Sequence, residues 1–213
     1  MSTGPSHRLT EQHLWGHMAQ HVVLVAVSAP LFVLGAAGPA QLWDRPADWR
    51  WRRLRRSMAG PRWPAWAGSA LALHGAALWG WHVPGAYDLA VRRPAVHVAE
   101  HAMFLGTAVL FWSTVGVAGR RANYGLGVVA VFLMALQGTA LGAWMALAHS
   151  AWYPVYAAGG HRPGALADQQ LAGVVMWCPG GFAYLVAALA LFQAWLRDAE
   201  RRAPSNPVTV VAS

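Results

Sequence analysis

Apolar residues in this chain come in long unbroken runs, and five of them reach the roughly 20 residues that a helix needs to cross a hydrocarbon core. The runs lie near residues 17–37, 64–83, 97–117, 124–148 and 170–196. They predict an all-α, polytopic membrane helix bundle of about five transmembrane helices, a single domain over 1–202. Residues 203–213, with two prolines and mostly small side chains, are expected to be a disordered tail. A secretory signal carries its positive charge ahead of the apolar stretch, whereas here the arginines follow the first run, so that run is read as a retained helix. Gly138 and Gly142 in the fourth run fit close helix packing. Pro179-Gly180-Gly181 predicts a kink in the fifth.

Composition agrees with the pattern: 56% of the residues are hydrophobic and 11% charged, against about a quarter charged in a soluble domain. One cysteine, Cys178, excludes an internal disulfide and a thiolate-rich metal site. The net charge of +8 comes from arginine without lysine, a balance that would suit nucleic acid were it not for its placement. Arg45, Arg50, Arg52, Arg53, Arg55, Arg56 and Arg62 fall in one segment between two spans, where anionic lipid is the ordinary partner. No nucleic acid is expected, and the bilayer is. With these, Arg120, Arg121, Arg197, Arg201 and Arg202 collect on one side, leaving Arg8, Arg92, Arg93 and Arg162 on the other. The excess of arginine marks the cytoplasmic side, so the N-terminus is expected outside and the C-terminus inside. Between Trp43 and Trp63 tryptophans alternate with arginines, a pattern open to two readings: a helix flat in the headgroup layer, or an irregular basic loop.

On that topology all ten histidines fall outside or in the outward half. His17 and His21 open the first span, with His7 and His13 ahead of them. His82 closes the second, with His74 two turns deeper. His97 and His101 open the third, His149 ends the fourth, and His161 lies in the loop beyond. Residues at i and i+4 share a helix face about 5 to 6 Å apart, so His17 with His21, and His97 with His101, can each offer two imidazoles to one ion. His13 stands about 12 Å from His21 along the axis, too far for the same ion, and suits first capture or a second one. Imidazole suits copper, zinc, iron and nickel, while thioether sulfur favours cuprous copper. Met18, Met103, Met145 and Met176 lie near the histidines, which favours copper, with apolar packing the alternative for each. Glu100, the one acidic residue inside the spans, either orients an imidazole by accepting its N–H or sits in interfacial water. Asp168 reads as a helix cap or as an accessory group. Taken singly, His7, His149 and His161 read as amphipathic interfacial side chains.

His17-Met-Ala-Gln-His21 running into Ser28-Ala-Pro-Leu, then Trp81-His-Val-Pro-Gly-Ala-Tyr87, then His97-Val-Ala-Glu-His101 with Phe104 and Trp112, then Ala167-Asp-Gln-Gln-Leu-Ala-Gly173 with Met176-Trp177, follow in order along nearly the whole chain. Together they resemble the multi-spanning CtaG-type cytochrome c oxidase assembly factors of bacteria. The resemblance implies a multi-pass inner-membrane protein needed to make active haem-copper oxidase, with an oxidase subunit as recipient and a copper donor protein as a further partner. Members often carry helices ahead of the His17 motif, which this sequence lacks, and it has no Cys-x-Cys domain of the unrelated copper-insertion proteins.

The expected metal ligands, from their chemistry, are His17, Met18, His21, His82, His97 and His101. Glu100, His13, His74, His149, Asp168 and Met176 are accessory. Three functions compete: copper delivery to an apo-oxidase; haem binding for electron transfer, with axial histidines from facing helices; and a metal-free scaffold for oxidase subunits. A chaperone-like homo-oligomer is compatible with each. An enzyme is not expected, because no nucleophile is set beside a base and no phosphate-binding loop follows a strand.

Overall fold

The computed structural model describes residues 13–35, 61–118, 123–157 and 164–203. Among the described residues every regular element is helical. They are α1 (Leu14–Gly35), α2 (Trp63–Trp81), α3 (Pro84–Arg92), α4 (Pro94–Ala118), α5 (Tyr124–Ala146), the single turn α6 (Pro154–Ala157) and α7 (Ala165–Arg202). Of these, α1, α4, α5 and α7 are long and apolar enough to cross a membrane. The second expected span, α2, has 19 residues, about 28 Å at the helical rise. Its Trp63, Trp66, Trp79 and Trp81 cluster at its two ends, where indoles favour the bilayer interface and lower the hydropathy of the whole helix. It packs against α4 and α5 inside the bundle.

Direction alternates from helix to helix. One end of the bundle gathers the starts of α1, α4 and α7 with the ends of α2 and α5. There His17 meets His97, His21 meets His82, Leu14 meets Asp168, and Met18 shares a core with Met145. At the other end the buried Trp63 donates its indole N–H to the Thr114 carbonyl at 3.0 Å. Between the ends, Ala70, Phe111, Trp112, Val131 and Tyr184 form the central core. Leu31, Phe32, Phe132, Phe182 and Leu189 face outward, as they must in a protein whose solvent is lipid.

Several boundaries differ from the sequence expectation. The link from the second to the third span contains α3, which opens on Pro84 at its first turn, and α4 starts at Pro94 rather than 97; proline's fixed φ suits a helix start. The last helix runs from Ala165 to Arg202, beyond the expected 170–196, and its final turns carry an Arg202–Asp198 pair at 2.8 Å. The expected kink at Pro179 takes the form of a π-helical stretch, Met176–Gly180, whose wider turn relieves the clash between the proline ring and the preceding turn. A second π stretch, Val23–Ser28, begins two residues after His21. The Trp112 indole donates to the Val25 carbonyl there at 2.9 Å, fixing α1 against α4.

Contact between α5 and α7 is a backbone contact. A Cβ placed on Gly173 would stand 2.5 Å from both the Gly142 carbonyl oxygen and the Ala146 nitrogen. Gly142 thus serves the expected close packing. Gly138 does not: nothing lies within 4 Å of its absent Cβ, and it borders a cavity instead. The basic segment 38–60, the tail 204–213, His7 and His161 lie outside the described residues.

Candidate metal centre

The first turns of α1 place His17 and His21 on one face, and the first turns of α4 place His97, Glu100 and His101 on the facing one. The rings of His17 and His21 are 4.4 Å apart and those of His97 and His101 4.3 Å. Across the helix pair His17 stands 5.1 Å from His97, and His21 4.9 Å from His101. Glu100 lies in the middle, 0% exposed, well away from interfacial water. Its carboxylate oxygens are 3.6 Å from His17 Nε2, 3.8 Å from His21 Nε2 and 3.9 Å from His97 Nδ1.

These separations exceed a hydrogen bond. His17 Nε2, both nitrogens of His21 and both oxygens of Glu100 are buried with no hydrogen-bond partner among the described residues. A buried polar atom left unsatisfied costs about 1 to 3 kcal/mol, so three neighbouring side chains with such atoms require a reason. Donors on a tetrahedral ion with bonds of about 2.1 Å stand about 3.4 Å apart, close to the spacing here. Two triplets that could hold an ion share the carboxylate, His17 with His21 and Glu100, and His97 with Glu100 and His101, each with its donor atoms within 4.8 Å of one another.

Ring orientation points the same way. His101 Nδ1 lies 3.0 Å from the His97 carbonyl, and His82 Nδ1 2.6 Å from the Leu78 carbonyl. A carbonyl only accepts, so each Nδ1 carries the hydrogen and each neutral ring keeps its lone pair at Nε2, the arrangement in which a backbone acceptor orients a metal-binding imidazole. His82, capping the end of α2, presents Nε2 to the Met18 sulfur at 3.3 Å, and its ring is 6.3 Å from that of His21.

The accessory residues separate. Asp168 caps α1 instead of its own helix, its carboxylate accepting from the backbone N–H of Leu14 at 2.9 Å and of Trp15 at 3.3 Å. His13 stands 3.8 Å from Asp168 just ahead of α1, outside the cluster. His149 is exposed beyond the end of α5. His74 is buried on Thr107, Met176 lies in the core with Met18 and Met145, and Met103 faces outward. The motif around Asp168 also ties down the outer loop. Gln169 accepts from the Trp152 N–H and donates to the Ser150 carbonyl, and Gln170 donates to the Ala148 carbonyl.

Sequence reading missed Tyr87 and Tyr153, which wall the cluster on one side, their rings 4.5 Å apart with Tyr87 5.2 Å from His17. Burial, with the Asp88 and Glu100 carboxylates adding to it, holds the Tyr153 hydroxyl above its ordinary pKa, so it stays a donor to the His82 carbonyl at 3.1 Å. The other side is open: a groove lined by Trp15, Gly16, Gln20, His97 and His101 leads in from the periphery.

Residues 1–198 match the family described as cytochrome c oxidase caa3 assembly factor (Caa3_CtaG). No curated protein and no solved structure matches the chain. A match over nearly the whole length, joined to an all-helical membrane bundle, means that the chain belongs to the Caa3_CtaG family of cytochrome c oxidase assembly factors.

Proposed function

We propose that the chain serves oxidase assembly by binding a copper ion among His17, His21, His97, Glu100 and His101, with His82 and Met18 beside them, and passing it to an apo-oxidase subunit in the bacterial inner membrane. The role is one of assembly, not catalysis, and the ion is cargo. One observation supports the reading: His17 Nε2 and His21 Nε2, buried and without hydrogen-bond partners among the described residues, stand at ligand spacing from the equally unpartnered carboxylate of Glu100. Imidazole and thioether suit copper, and a cluster reached through an open groove can both take up and release its ion. The packing favours a small ion over haem, since rings from 4.3 to 5.7 Å apart, set largely edge to face, leave no slot for a macrocycle.

The test is copper stoichiometry of the purified protein, with His17, His21, His97 and His101 replaced by alanine singly and in pairs. Paired replacements should abolish copper binding at this cluster and lower the copper content of the oxidase made in the same cells. Undiminished copper in the paired variants would overturn the site.

A further inference from the structure

Beneath the outer cluster, nearer the middle of the spans, lies a cavity of about 60 Å³. His21 and His82 border it from above; His74, Met134 and Met176 line its sides, and Gly138 leaves room that any side chain would fill. His74 has 1% of its surface exposed. Its Nδ1 lies 2.9 Å from Thr107 Oγ1, and that hydroxyl gives its one hydrogen to the Met103 carbonyl at 2.7 Å. Oγ1 therefore accepts from the His74 Nδ1–H, and the lone pair is at Nε2, which is buried and has no partner among the described residues. No carboxylate borders this space among the described residues.

The geometry points to a second copper station at this depth, a soft site for cuprous ion formed by His74 Nε2 with the thioethers of Met134 and Met176. Hard dications favour carboxylate oxygens, and the side-chain oxygens bordering the cavity are the hydroxyls of Thr139 and Tyr184, whereas neutral nitrogen and sulfur donors select a soft ion. Charge argues the same way: a monovalent ion in a neutral cage costs less to bury at membrane depth than a divalent one. The outer cluster holds its carboxylate; the inner one offers sulfur. His21 and His82 border both, so an ion moving between them need not leave imidazole. This station goes beyond the proposed function and depends on it only for the identity of the ion.

The full-length protein in lipid nanodiscs, loaded anaerobically with cuprous ion against a competing chelator, tests it by copper per chain and by X-ray absorption at the copper edge. Met18→Leu is the background, which removes the outer thioether. In that protein a copper–sulfur shell should remain. Adding Met134→Leu and Met176→Leu, swaps that conserve volume and are tolerated in cores, should remove the shell and about one copper per chain. His74→Gln should remove the same copper. His17→Ala with His97→Ala should leave the sulfur shell intact. A shell missing from the background protein, or persisting in the triple variant, overturns the inner station. Loss of the shell in the triple variant with full copper in the His17/His97 variant upholds it and overturns the outer cluster instead.

Discussion

Glu100 separates binding from folding, because its buried carboxylate has no hydrogen-bond partner among the described residues. Glu100→Gln keeps the shape and removes the charge. Burying a charge without a partner is costly, so thermal unfolding in detergent should find the metal-free variant at least as stable as the parent. Copper affinity should fall roughly 10- to 100-fold, and the rise in melting temperature at a given copper concentration should shrink accordingly. A variant that melts earlier yet binds copper normally would assign Glu100 a structural role. Asp168 gives the opposite signature. Asp168→Ala strips the cap from α1 and should cost about 1 kcal/mol, with Asp168→Asn costing less, both read from unfolding curves. The i, i+4 histidine pairs were legible because helical spacing alone puts two imidazoles on one face. That Glu100 lies between the pairs was not, since one helix cannot tell which neighbour its third face meets. Asp168 looked like the cap of its own helix because a trans cap needs the two helix starts side by side, 154 positions apart in sequence. Met134 gave no signal, as a lone methionine in an apolar run resembles any packing residue.

At the scale of elements, unbroken apolar runs specified the long helices to within a few residues, since the bilayer sets their length and no competing pattern intrudes. The short helix α3 was hidden in the same link by its polar character, although Pro84 at its start was a sign. Neither π stretch was legible: a widened turn arises where tertiary contacts such as Trp112 on the Val25 carbonyl favour it. Glycine also needed the structure to be read. Gly173→Ala should force α5 and α7 apart and destabilise the fold by about 1 to 3 kcal/mol. Gly138→Ala, with open space around it, should be neutral or slightly stabilising, as alanine is the better helix former. Unfolding in mixed micelles, followed by circular dichroism, compares the two. Equal losses would mean that the Gly142–Gly173 contact does not hold the helices together.

For the molecule as a whole, the alternating helices bring Leu14, His82, His97, Met145 and Asp168 to one end, while Arg197, Arg201 and Arg202 lie at the far end of α7. Arginine is retained on the cytoplasmic side, which would put the histidine cluster and its groove on the outer face, where an ion arriving from outside meets His97 and His101 first. The orientation can be tested directly, because Cys178 is the one cysteine of the chain. In a Cys178→Ser background, His149→Cys should react with a membrane-impermeant maleimide added to intact spheroplasts, and Arg197→Cys should react only after the membrane is opened. Copper loading should follow the same sidedness, fast from outside and blocked by a bulky reagent at Gln20→Cys beside the groove. The reverse labelling pattern would turn the cluster towards the cytoplasm. The ion would then have to be drawn from the cytoplasmic pool, and release on the outer face would require passage through the bundle.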